Sequence, residues 1–174
     1  MHKKSIKPQL LLPALLFLAS CGGQKAETPE TVQTEPEQGE VRGLPSYTYT
    51  DSLTLGSHKV VCTITCQADE ELPLVVDEDG TKYADNRFGL VIKRDAQELF
   101  SRSFSKADFH SLLTADFRKY GILDGMRFHH AEDGKLYFNT CVSYPESDMS
   151  CPFFLIVGPD GSYSITPDTT PDYE

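Results

Sequence analysis

No apolar run in this 174-residue chain is long enough to cross a bilayer. The longest is LLLPALLFLA, residues 10–19, broken by Pro13; a spanning helix needs about 20 apolar residues. Basic residues are scarce: 16 Lys and Arg stand against 26 Asp and Glu, a net charge of −10. Phosphate binding relies on Lys and Arg, so this balance argues against nucleic acid or anionic lipid as a partner. There is no Gly-x-Ser-x-Gly elbow, no glycine-rich phosphate loop, no helical His-Glu-x-x-His and no internal repeat. The motif grounds for a serine hydrolase, a nucleotide-dependent enzyme and a zinc peptidase are therefore missing. The expectation is a protein with no catalytic motif, no metal ligand set and no cofactor.

What is present begins with an address. Lys3, Lys4 and Lys7 precede the short apolar run, and small residues follow it, the order of parts in a secretory signal peptide over residues 1–20. Leu18-Ala19-Ser20-Cys21 resembles the lipobox of bacterial lipoproteins. That resemblance implies cleavage before Cys21 and a diacylglycerol (palmitate-type) anchor on its sulfur. Each buried methylene of such a chain contributes about 0.8 kcal/mol, enough in two or three chains to hold a domain on a membrane. Gly22 rather than Asp follows the cysteine, which by the same resemblance favours the outer membrane, facing either the periplasm or the outside. Losing a leader with three lysines and no acids takes the net charge from −10 to −13.

From Cys21 to residue 46 the chain is rich in Glu, Thr, Gln, Pro and Gly and nearly free of large apolar residues. Such a composition buries too little surface to offset chain entropy and predicts a disordered tether. As a coil it spans roughly 25–30 Å. Residues 168–174 read as a flexible acidic tail. Between them, residues 47–167 suffice for one domain with a real core.

Inside that domain alternation dominates. YTYTDSLTL and HKVVCTITC flank Gly56-Ser57, RFGLVIKR and ELFSRSF flank Asp95-Ala96, GMRFHHAE and KLYFNTCVSYP flank Asp133-Gly134, and PFFLIVG and SYSIT flank Asp160-Gly161. Asp-Gly between alternating runs is a strong hairpin signal, because both residues tolerate positive φ. Val60, Cys62, Ile64 and Cys66 share one face of their strand. One segment breaks the pattern: Phe109, Leu112, Leu113, Phe117 and Tyr120 recur at helical spacing. Ser105 as N-cap, Asp108 as its capping-box partner and Gly121 as a left-handed C-cap frame a helix over 106–120. The predicted fold is mainly β (α+β): an antiparallel sheet of about seven to eight strands, half-barrel or sandwich-like, with one amphipathic helix packed on it.

YTDSLTLG, DEDGTKYADN, FSRSFSKADF and VSYPESD occur in an order similar to an uncharacterised family of small bacterial lipoproteins, domain of unknown function 4738. The likeness covers most of residues 47–166. It implies an extracytoplasmic lipoprotein and supplies no catalytic residues; the domain's cysteines are not part of the pattern.

Several constellations fall short of a site. With Gly80 at the sixth position of a calcium loop, Asp77 and Asp79 take positions three and five, but Val75 and Asn86 occupy positions one and twelve. A solvated acidic turn is the simpler reading, ahead of a looser divalent site using Asp77, Asp79 and Asp85. His129 and His130 are neighbours on a strand and should point to opposite faces, unable to share a metal without a kink. His58 and His110 have no visible partner. Cys62 and Cys66, four residues apart on a strand, stand about 13 Å apart, beyond the roughly 7 Å a disulfide tolerates. Either both bridge to Cys141 and Cys151, or Cys141 joins Cys151 and the other two stay reduced in the core. Nine residues between Cys141 and Cys151 are too many for a four-thiolate zinc site.

The favoured function is a non-catalytic binding or interaction module, held to the membrane by its lipid, with a glycan, a peptide or a neighbouring envelope protein as ligand. Tyr47, Tyr49, Tyr137 and Tyr163 are candidates for a contact face, although covering the sheet is the simpler role. The alternative is an envelope- or glycan-directed hydrolase using carboxylates. It requires a buried acid beside a second acid in a cleft.

Overall fold

Each of the eight strands read from alternation forms, and each pairs with its predicted hairpin partner. The structure, a computed structural model, describes residues 39–169. The leader, Cys21, most of the expected tether and the end of the acidic tail lie outside the described residues. In chain order the strands are β1 (Val41–Arg42), β2 (Tyr47–Leu55), β3 (His58–Ala68), β4 (Val75–Val76), β5 (Lys82–Tyr83) and β6 (Asn86–Arg94). They continue with β7 (Gln97–Phe104), β8 (Ile122–Glu132), β9 (Lys135–Ser143), β10 (Ser150–Val157) and β11 (Tyr163–Pro167).

The single sheet of seven to eight strands is corrected to three sheets. One is a four-stranded antiparallel meander, β2-β3-β6-β7, and a second has the order β11-β10-β9-β8. The division has a local cause. A tight turn joins the strands within each hairpin, whereas residues 105–121 separate β7 from β8 and carry the chain from one sheet to the other. The third sheet, β1-β5-β4, was not foreseen, because two-residue strands show no periodicity. In it β1 runs parallel to β5, so the segment assigned to the tether contains a paired strand at Val41–Arg42.

The inner faces of the two large sheets share one core. Val60, Cys62, Ile64 and Cys66 of β3 line it as alternation requires, against Phe88, Leu90 and Ile92 of β6 and Phe138, Phe153 and Leu155 of the second sheet. At one seam Arg127 lies over the rings of Tyr47 and Tyr49, 5.6 and 4.7 Å from their centroids. At the other, Arg102 sits 4.7 Å over Tyr163, whose ring packs edge-on against Phe100 and Phe104.

Two hairpin turns hold consecutive pairs of left-handed residues. Asp133-Gly134 adopts φ of 50° and 76°, and Asp95-Ala96 adopts 50° and 67°. An alanine there costs about 1–2 kcal/mol. Asp95 offsets this by accepting the Lys59 N–H at 2.9 Å and approaching His58 Nδ1 at 2.5 Å.

The helix expected over 106–120 is corrected to two short pieces, a 3₁₀ turn at Lys106–Phe109 and α1 (Ala115–Tyr120). Thr114 is the cause: extended at φ −67°, ψ 167°, it caps a new start, its hydroxyl accepting the Phe117 N–H at 3.4 Å. Ser105 keeps its predicted role, its N–H donating to the Asp108 carboxylate at 2.9 Å. Phe109 and Leu113 are buried; Phe117 is half-buried and Leu112 exposed, so the stripe is not one continuous core face. Gly121 is also corrected. It is extended (φ −85°, ψ 156°), not left-handed. Glycine is needed there because a Cβ would come within 2.7 Å of both the Phe117 carbonyl and Val142 Cγ1.

Candidate functional site

A cleft lies where three sequence-distant segments meet. The first is the turn after β4. Asp77 Oδ1 accepts the N–H groups of Asp79 at 3.0 Å and Thr81 at 2.8 Å, closing that turn with its own side chain. The second is α1, which brings Asp116 and Tyr120. The third is the connection from β9 to β10, closed by the Tyr144 N–H donating to the Met149 carbonyl at 3.0 Å. Together they enclose about 430 Å³, bounded by Asp77, Glu78, Asp116, Tyr120, Tyr144, Pro145 and Ser147.

A polar network behind the cleft ties the segments together. Arg42 donates to both oxygens of Glu146, at 2.8 and 2.7 Å. The Tyr83 hydroxyl donates weakly to Glu146 at 3.3 Å and to Asp77 at 3.4 Å. Burial pushes the Tyr83 phenol up, and the charges of Glu146 and Asp77 push it further. Tyr144 is likewise pushed up by burial and then by Asp116, Tyr120 and Glu78. Its ring packs against Phe117 at a 46° tilt, with centroids 4.8 Å apart, and meets Tyr120 edge-on at 6.2 Å. The resulting hollow is negatively charged, floored in part by aromatic carbon and open to water. Lys119, adjacent in sequence, places its Nζ 4.5 Å from the Tyr120 ring centroid and donates to the phenol at 2.7 Å.

The acid requirements of a carboxylate hydrolase are not brought together here. Glu78 and Asp116 are exposed, and Asp77 is held as an acceptor by backbone N–H groups. The buried acid is Asp85, away from the cleft. Its Oδ1 accepts the N–H groups of Asn86 and Leu123, both at 2.8 Å, and its Oδ2 lies 3.3 Å from Lys106 Nζ. Asp77, Asp79 and Asp85 therefore do separate work and do not converge on a cation.

The expectation that His129 and His130 face opposite ways is corrected. The β8–β9 register slips between Phe128 and His130, leaving His129 as an extra residue. The bulge turns both rings to the outer face, with their Nδ1 atoms 2.5 Å apart. His130 stacks on Tyr137 at 4.3 Å, and Phe154 lies beside both histidines.

Tyr47, Tyr49 and Tyr163 serve the seams already described, so none of the four candidate tyrosines stands alone on a contact face. Cys62 and Cys66 are buried along β3, and burial pushes the Cys62 thiol up to about 12. Cys141 pairs with Pro152 and Cys151 with Val142, so alternation directs the two thiols to opposite faces. All four cysteines among the described residues are free, and a Cys141–Cys151 bridge would need the register moved by one residue.

Sequence reasoning missed the cleft. Tyr120 was visible only as part of a helical stripe, Glu78 only as part of an acidic turn, and Tyr144 and Ser147 only within VSYPESD. A family model described as Domain of unknown function (DUF4738) matches residues 28–165. No curated protein matches the chain.

Proposed function

The chain belongs to the family described as Domain of unknown function (DUF4738), and we propose that it acts as a non-catalytic binding module whose ligand enters the acidic, two-tyrosine cleft. The cleft is the observation that carries this reading. Its carboxylates repel anions, and its ring faces attract cations by about 0.5–1 kcal/mol each when exposed and about 2 when desolvated. Of the ligand classes considered, a peptide or envelope protein presenting a Lys or Arg side chain fits this chemistry best. Glycan hydrolysis is less well supported, since no buried acid stands beside a second acid in the cleft.

The same proposal includes a lipid on Cys21, placement at the outer membrane and a tether reaching toward residue 46. These rest on the LASC sequence and on the composition that follows it. No helix among the described residues is long and apolar enough to cross a membrane.

The test is calorimetric titration of the protein with a Lys/Arg-rich peptide, its Glu-rich counterpart and a neutral oligosaccharide. The cationic peptide should bind, weaken as salt is raised from 0.05 to 0.5 M, and lose at least about fivefold in affinity with Asp116→Asn or Tyr144→Ala. Equal binding of the acidic peptide, or no effect of either substitution, would refute the cleft as the site.

A further inference from the structure

We infer that His129 and His130 form a surface site for a divalent transition metal, Cu(II) before Zn(II). An extended strand sends successive side chains to opposite faces, so adjacent histidines ordinarily cannot chelate. The bulge at this point of β8 removes that obstacle. It leaves two imidazole Nδ1 atoms facing each other at 2.5 Å on the outer face of the sheet.

Two imidazole nitrogens brought this close must share something. A neutral ring offers one N–H and one lone pair. Two facing lone pairs repel unless a proton or a metal ion lies between them. Metal–imidazole bonds are about 2.0–2.1 Å long. Two such bonds at a right angle place the nitrogens about 2.9 Å apart, and at a tetrahedral angle about 3.3 Å. At 2.5 Å the nitrogens stand closer than either value, so an ion entering between them has to part the rings, by least for the right-angle arrangement, the cis edge of a square-planar ion. Cu(II) prefers that geometry and binds nitrogen ligands most strongly among the first-row divalent ions.

The surroundings favour occupancy. His129 is exposed, so an ion can reach the pair from solvent. Tyr137 lies parallel to His130, 10° from coplanar, and Phe154 packs 5.5 Å from His129, so both rings are held from the side. Among the described residues no group of three or more His, Cys, Asp or Glu gathers to hold an ion. The protein would thus supply two ligands, with water in the remaining positions.

The test is titration of the full chain with CuCl₂, followed by electron paramagnetic resonance and calorimetry. One site with two coordinated nitrogens is expected. H129A and H130A should each weaken it at least tenfold and remove one nitrogen from the spectrum, with the circular dichroism spectrum unchanged. H110A, on an exposed turn, serves as the control and should leave it as in the wild type. Copper binding that is the same in H129A and H130A as in the wild type, or a spectrum without a second imidazole, would overturn the inference in favour of a shared proton.

Discussion

Asp85 offers the sharpest test of how the two sheets are held together. It is 3% exposed, and its single carboxylate takes N–H bonds from Asn86 at the start of β6 and from Leu123 at the start of β8. Its other oxygen faces Lys106, whose ammonium also donates to the Gly121 carbonyl at 2.6 Å. Asp85→Ala would leave two buried N–H groups without an acceptor, about 1–3 kcal/mol each, and an ammonium without its counter-ion. Breaking a buried pair from one side costs about 3–5 kcal/mol. These losses overlap, so the expected total is about 3–5 kcal/mol, a large share of the 5–15 kcal/mol typical of a domain. Asp85→Asn keeps an acceptor oxygen for both N–H groups, but it removes the counter-ion of Lys106 and turns an amide N–H₂ toward that ammonium, so about 2–3 kcal/mol is expected, less than for Ala. Urea unfolding followed by far-ultraviolet circular dichroism measures both; the chain has no tryptophan for fluorescence. A cost below 1 kcal/mol for Asp85→Ala, or an Asn variant no better than Ala, would refute the anchoring role.

Phe109, fully buried against Phe153 with centroids 5.2 Å apart, should cost about 3–5 kcal/mol as Ala. Half-buried Phe117 should cost clearly less, and the reverse order in urea midpoints would contradict the packing. Cys62 should resist alkylation at pH 8 until the protein unfolds, because the thiolate is the reacting form and burial holds the thiol near 12. Its folded pKa lies above the ordinary 9.0. Its contribution is therefore complete below about pH 9 and lost as pH rises toward 12, so the Cys62→Ala variant should lose less stability across that window. Cys21→Ser should abolish the lipid mass increment and membrane fractionation; a Ser variant with both intact would remove the anchor from the proposal.

The strands were legible because their signal is local. Alternation within β3 or β9 and a turn residue pair such as Asp133-Gly134 need no knowledge of distant chain. The separation into two sheets was not, since it depends on residues 105–121 crossing between layers. Nor was the helix break, where Thr114 is as acceptable inside a helical pattern as at its start. The bulge at His129 adds one residue to a strand without changing its composition, so period-two reasoning placed the histidines on the wrong faces. The cleft draws on positions 77–78, 116–120 and 144–147, and nothing within any of these segments announces the others.

The attachment of β1 has a mechanical consequence. That strand is two residues long, paired with β5 alone, and fastened by the exposed Arg42–Glu146 pair. If the chain is tethered upstream, a pull enters here before it reaches the nine-residue β2. The short strand would peel first and, once Leu44 leaves the edge of the core, release roughly 25 Å of slack from residues 39–46 at about 3.3 Å per residue. Peeling also frees Glu146, whose neighbours Pro145 and Ser147 border the cleft. Tension on the anchor would then loosen one rim of the hollow while both large sheets stay folded. An optical-trap trace should show that short extension as a separate, low-force step ahead of domain unfolding.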